Sequence, residues 1–231
     1  ETAMEFPKML TNGAIRKDSL IYALGATIAR HCQELGVHVN FAPVVDINSN
    51  PRNPIIGMRS FGEDPEEVTQ KAILYAYGSL SQNVLPVIKH FPGDTDTDSH
   101  HTLPVIPHSR QRLDSVELYP YQHLIEAGIP AVMVSHLAVK SIDSTGIPAS
   151  LSSPVIQELL RRDLNFSGLC FTDAMNMKGV TQNSQPGEAE VKALLAGNDM
   201  LLFPANLGKA VEAIKKALAD SLLDERTIDE K

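Results

Sequence analysis

Apolar positions along this chain switch repeatedly between a helical period and short continuous runs. Residues 17–35 place Leu20, Leu24, Ile28 and Leu35 at helical spacing, and Gly36 supplies a stop. Val37 to Val45 then reads as a buried strand ending at Asp46. Asp64-Pro65 opens a second helix, with proline at the first helical position and Glu66 and Glu67 in the first turn, running to about Asn83. Val84 to Ile88 is the next strand and leads into Lys89-His90. Residues 109–127 form a helix that Gly128 ends, and Pro130 to Val134 a strand ending near Ser135-His136. Ser153-Pro154 caps a helix through Leu164, and Gly168 to Phe171 is a strand ending at Thr172-Asp173. A helix over Glu188 to Ala196, a strand over Asp199 to Phe203 and a helix over Leu207 to Leu222 complete the pattern.

Strand–helix alternation predicts parallel strands with helical crossovers, an α/β fold. The strands lack strict polar alternation, as expected when both faces are buried. No glycine-rich fingerprint follows the first strand, which argues against a dinucleotide-binding sheet. Polar groups instead gather at strand C-termini: Asp46, Lys89 with His90, His136, and Asp173. That is the catalytic end of a (β/α)8 TIM-type barrel, the predicted architecture. Five strands are clear and a short one is expected around Pro148 to Leu151, whereas a closed barrel needs eight. The chain opens on Glu1-Thr2-Ala3 without Met. The expectation is therefore one catalytic barrel over 1–231, incomplete at its N-terminus, with its first strands before Glu1.

Composition narrows the function. The chain has 231 residues, 43% of them apolar, no Trp, and a net charge of −8 with no basic block. That excludes the footprint of a nucleic-acid binder. No apolar run reaches membrane-spanning length. Two cysteines are too few for a disulfide scaffold; Cys32 and Cys170 are expected to be small core residues.

Three segments carry candidate chemistry. Lys89-His90-Phe91-Pro92-Gly93 is followed by Asp94, Asp96, Asp98, His100 and His101. The Gly, Thr, Ser and Asp content predicts a loop, either functional or a solvated acidic stretch. Phe171-Thr172-Asp173 sets a carboxylate straight after a buried strand, suited to nucleophilic attack or to a structural hydrogen bond. The turn-rich stretch from Asp46 carries Arg59, which can fork onto ligand oxygens or pair with Asp46 or Glu63 as a brace.

Taken together, NFAPVVDINSNPRNPIIGMRSFGEDPEEV (40–68), VIKHFPG with DTDTDSHHTLP (87–104) and FTDAMNMKGV (171–180) resemble glycoside hydrolase family 3. The likeness is to its β-N-acetylhexosaminidase (β-N-acetylglucosaminidase) branch and spans nearly the whole chain. The resemblance implies a retaining, exo-acting hydrolase of terminal β-linked N-acetylglucosamine from peptidoglycan or chitin fragments. It makes Asp173 the nucleophile and His100, held by Asp98, the acid/base. It assigns Arg59, Lys89 and His90 to sugar binding and puts Asp46 near the site. It implies no cofactor and no metal; the partner is a small sugar, and the full-length protein is compatible with fusion to a further domain. Bacterial cytoplasm and periplasm both stand as compartments.

A histidine acid/base fits the chemistry, because an imidazole titrating near neutrality can give and take a proton in one cycle. It also removes an anion from the site, so phosphate as acceptor is a variant reading. The sequence departs from the family pattern in three places. No His-Gly pair follows Gly93, the stretch Val180 to Asn183 is short, and no early strand carries a D-x-E-G-G-type segment. Two rivals come from other classes. A metal-dependent hydrolase would draw ligands from His90, Asp96, Asp98, His100, His101 and Asp173. A non-catalytic sugar-binding fragment would bind without turnover.

Overall fold

The computed structural model describes residues 4–94, 103–182 and 184–229. In chain order it contains α1 (Met9–Gly13), α2 (Asp18–Glu34), β1 (Val39–Asn40), α3 (Pro65–Leu80), β2 (Leu85–Pro86), β3 (Ile88–Phe91), β4 (Val105–Ile106), α4 (Arg110–Arg112), α5 (Tyr119–Glu126), β5 (Ala131–Val134), β6 (Ala138–Val139), β7 (Leu169–Ala174), α6 (Lys178–Thr181), α7 (Glu188–Ala196), β8 (Met200–Leu202), α8 (Leu207–Ala219) and α9 (Glu225–Asp229). Among the described residues no helix is long and apolar enough to cross a membrane. The chain forms two compact units. One holds the described residues up to 94 with His108–Met133 and Phe166–Gly168; the other holds 103–107, Val134–Asn165 and the chain from Leu169 onward.

In the first unit, β1 pairs with β2 in parallel, with Val39 opposite Leu85 and Asn40 opposite Pro86. A parallel bridge between Val44 and Lys89 continues the contact toward β3. The expected strand from Val37 to Val45 is thus shorter as a ladder. Ala42 N–H turns back onto the Asn40 carbonyl at 2.8 Å, and Pro43 has no N–H to donate. The main packing is α2 on α3. Ile21, Leu24 and Ala29 of α2 are buried, as are Val68, Ala72, Tyr75 and Ala76 of α3. The two backbones approach so closely that a Cβ on Gly25 would lie 2.1 Å from the Tyr75 carbonyl oxygen, and one on Gly78 2.2 Å from that of Tyr22. The α3 helix starts as the sequence predicts, with Asp64 accepting from the Glu67 N–H at 2.9 Å and Pro65 at N1. Behind β3, the Phe91 and Tyr121 rings meet edge-on at 5.0 Å.

In the second unit, β4 and β6 form a short parallel pair, Val105 with Ala138 and Ile106 with Val139. Neither strand was visible as a periodic run. β7 pairs with β8 in parallel, with a register irregularity between Phe171 and Ala174. Leu151, Met175, Val180, Ala189 and Ala193 form one apolar cluster, and Val191, Leu194, Ala217 and Leu223 another. The short strand expected at Pro148 to Leu151 is a 3-10 turn over Ala149–Leu151. The helix expected from Ser153 to Leu164 is π-wound over Pro154–Asp163. Its buried residues Val155, Ile156, Leu159 and Leu160 recur at a spacing that does not separate the two windings. Cys170 is buried as expected, whereas Cys32 is only half-buried; both are free thiols.

Candidate active site

Two groups of side chains mark the strand ends, one in each unit. In the first, Asp46 follows the bridge at Val44, and its side chain is 1% exposed. Its Oδ2 lies 2.7 Å from Nδ1 of His90, and the His90 backbone N–H donates to the same carboxylate, to Oδ1 at 3.1 Å. The Arg59 guanidinium donates to His90 Nε2 at 3.4 Å. A guanidinium only donates, so Nε2 is the acceptor and Nδ1 carries the proton given to Asp46. Asp46 thereby sets both the ring orientation and the tautomer of His90.

The loop that brings Arg59 there is tied to the same carboxylate residue. Ser60 Oγ donates to the Asp46 carbonyl at 2.7 Å and accepts from the Gly62 N–H at 3.1 Å. Asn53 Oδ1 accepts from the N–H groups of Ile55 and Ile56 at 2.8 and 2.9 Å, closing the turn that the Asn-Pro spacing predicts. Arg59 and Lys89 line a pocket of about 360 Å3 whose other walls include Phe41, Met58 and Tyr75. With Lys8 they make three cationic side chains among apolar walls, which supply donors for the oxygens and carbon surface for the methyl of an uncharged polyol bearing an acyl group. Of the two options the sequence left open for Arg59, the structure shows it beside His90, with no bond to Asp46 or Glu63 among those seen.

Sequence reasoning missed Tyr121 here. It is fully buried, and its hydroxyl has no hydrogen-bond partner among the described residues. Burial pushes its phenol well above the ordinary value, and the carboxylates of Asp46 and Asp94 add to the effect. It is therefore a neutral hydroxyl near two acids. Its only sequence signal was a place in a helical pattern, which carries no functional information.

In the second unit, Asp173 stands near the C-terminal end of β7 and is half-buried. Its Oδ1 accepts from the Ala174 N–H at 2.8 Å. The flanking backbone is pinned: Thr172 Oγ1 accepts from the Leu202 N–H at 3.0 Å, and the Met175 N–H donates to the Leu202 carbonyl at 2.8 Å. His136 is fully buried beside it, with Nε2 3.1 Å from the Ala174 carbonyl. A rigid, partly desolvated carboxylate of this kind suits attack on carbon.

Asp98 and His100 lie outside the described residues, as do Asp96 and His101. Of the predicted set, His90 is in direct contact with Asp46 and Arg59, Lys89 lines a pocket with Arg59, and Asp173 belongs to the other unit. Among the described residues no group of three or more His, Cys, Asp or Glu side chains could hold a metal ion.

Similarity to known proteins identifies the family. The family model described as "Glycosyl hydrolase family 3 N terminal domain" matches residues 1–231. The chain is 34% identical to a beta-hexosaminidase A of Pseudoalteromonas piscicida, over 96% of this chain and 41% of that protein. The solved structure of a glycoside hydrolase family 3 beta-N-acetylglucosaminidase from Paenibacillus sp. str. FPU-7 superposes with a TM-score of 0.94 at 36% identity, covering all of this chain and 45% of that one. The beta-glucoside phosphorylase BglX superposes at 0.95 with 32% identity, covering all of this chain and 43% of that one. The chain thus spans less than half the length of these relatives. With its parallel strands and helical crossovers, it belongs to the glycosyl hydrolase family 3 N-terminal domain and has that domain's TIM-barrel-type α/β fold.

Proposed function

We propose that this chain is the catalytic domain of a retaining, exo-acting β-N-acetylhexosaminidase that releases terminal β-linked N-acetylglucosamine from peptidoglycan or chitin fragments. The observation that carries the reading is Asp173, a carboxylate held by the Ala174 N–H on a strand end whose neighbours Thr172 and Met175 are bonded to β8. In the first step its oxygen attacks the anomeric carbon as the glycosidic bond breaks, and His100 gives its proton to the leaving oxygen. In the second, water attacks the same carbon and gives its proton to His100, and the Asp173 carboxylate leaves. Asp98 orients the His100 ring. Arg59, Lys89 and His90 hold the sugar, with His90 itself oriented by Asp46. The resemblance of the D-S-H triplet supports the roles of Asp98 and His100, the pocket walls support the binding roles of Arg59 and Lys89, and the contact with Arg59 supports that of His90.

The test is to trap the glycosyl-enzyme in the full-length protein with an activated 5-fluoro N-acetylglucosaminide and map the label by mass spectrometry. Label on Asp173 supports the reading, and label on any other residue overturns it. Replacing Asp173 by Ala is expected to lower kcat about 10⁴-fold or more.

A second reading has a specific observation behind it, the likeness to the beta-glucoside phosphorylase BglX. Phosphate oxygen would then attack the glycosyl-enzyme in place of water and yield the sugar 1-phosphate. Turnover with and without inorganic phosphate separates the two: hydrolysis releases the free sugar whether or not phosphate is present.

A further inference from the structure

His136 is 0% exposed and carries two hydrogen bonds. Its Nε2 faces the Ala174 carbonyl at 3.1 Å. A carbonyl only accepts, so the ring proton is on Nε2. Burial, the largest influence, holds the imidazole below its usual basicity and keeps the ring neutral, although the nearby Asp173 carboxylate opposes this. Nδ1 is then the acceptor for the Ser150 hydroxyl at 2.7 Å. Ser150 is itself fully buried; its N–H donates to the Ser135 carbonyl at 3.2 Å, and its carbonyl accepts from Asn198 Nδ2 at 2.7 Å. Asn198 donates again to the Ala193 carbonyl in α7 at 2.7 Å. A chain of fully buried polar groups thus runs from α7 to the carbonyl of Ala174, and the N–H of the same residue, one peptide unit earlier, holds the Asp173 carboxylate.

An apolar side chain would fill this space without any polar group to satisfy, and buried polar groups are costly unless fully bonded. The bonded imidazole places a rigid donor on the carbonyl of Ala174, the residue after Asp173. We propose that His136 is a positioning residue, which fixes the Asp173 carboxylate for attack by clamping the Ala174 carbonyl against the Ser150–Asn198 chain and so holding the residue whose N–H binds that carboxylate. The proposal rests on the reading of Asp173 as the nucleophile. A neutral ring also orients that carboxylate without adding a positive charge that would blunt its attack.

The test compares His136→Ala, His136→Asn, His136→Gln and Ser150→Ala in the full-length protein. Active sites are counted by stoichiometric trapping with the 5-fluoro sugar, so that kcat refers only to folded molecules. A glutamine amide reaches the place of Nε2 and an asparagine amide the place of Nδ1. The expected result is a kcat about 10²-fold lower for the Ala and Asn variants, with KM within about threefold and the trapping rate falling in parallel. Gln is expected to recover to within about tenfold of the parent. Ser150→Ala, which keeps the ring and removes its brace, is expected to lose about tenfold in kcat at unchanged KM. A merely structural histidine would lower the melting temperature and the number of active sites but leave kcat per site unchanged, and that result overturns the proposal. Equal kcat for Asn and Gln overturns it too. If Ala and Asn fail to fold, Ser150→Ala decides alone, and parental kcat in that variant refutes the clamp. Failure of the underlying reading looks different: the label on the parent protein would map away from Asp173.

Discussion

Asp46 and His90 meet at 2.7 Å between Oδ2 and Nδ1, with the His90 backbone N–H bonded to the same carboxylate. One buried acid therefore sets the direction, tautomer and backbone position of the His90 ring. Arg59 closes the arrangement from the other nitrogen.

Replacing Asp46 by Ala removes the acceptor from three contacts at once, one to the ring and two to the backbone N–H. The ring loses its reference and a nearly buried N–H loses its partner. We expect kcat/KM on an aryl N-acetylglucosaminide to fall by about 10²-fold. Stability should fall by about 1–3 kcal/mol. Steady-state kinetics and denaturant unfolding measure the two separately.

Gly78 tests the helix contact far from any chemistry. Its Cβ would sit 2.2 Å from the Tyr22 carbonyl oxygen and 2.7 Å from the Ala26 nitrogen, both backbone atoms that cannot swing aside. Gly78→Ala should cost about 1–3 kcal/mol through forced separation of α2 and α3. The melting temperature should drop while kcat of the folded molecules is kept.

His136 gives the protein a pH-dependent stability with a defined sign. Burial lowers its basicity in the folded state below the ordinary 6.5. Protonation therefore favours the unfolded chain, and the stability tied to the neutral ring is whole above 6.5 and lost as pH falls toward the lowered native value. The melting temperature of the parent should fall between about pH 7.5 and pH 5.5 by more than that of His136→Gln, which has no ring to protonate. Equal slopes would contradict the assignment.

Asp143 is a structural counterpart in the second unit. Burial alone would raise its carboxyl, but bonds from Ser152 Oγ at 2.6 Å, Thr145 Oγ1 at 2.5 Å and the Thr145 N–H at 3.0 Å bring it below its usual value. Its contribution is present above the ordinary carboxylate range and lost as pH falls below it. Asp143→Ala should destabilise by about 2–3 kcal/mol at neutral pH, read by urea unfolding, and by less in acid.

Much of the fold was legible because helix boundaries are written locally. Asp64-Pro65 opens α3, and Gly128 closes the helix before β5 where the pattern places them. Long buried runs such as Ala131–Val134 declare themselves by hydrophobicity alone. Val105–Ile106 and Ala138–Val139 did not, since two-residue strands exist only through the partner they pair with. The π-winding of Pro154–Asp163 and the turn at Ala149–Leu151 were hidden for a related reason: the apolar spacing admits more than one backbone.

The candidate site divides along the same line. By itself the sequence singled out the candidate residues, Asp46, Arg59, Lys89, His90 and Asp173 with the Asp98-Ser99-His100 triplet, because their flanking motifs are contiguous and strand ends are marked by polarity. Only the tertiary structure decided what holds them. Asp46 and His90 are 44 positions apart, and His136 and Ala174 are 38 apart. A hydrogen bond over such a separation leaves no periodic trace in the chain; it is set by which strand ends the fold brings within three ångströms of one another.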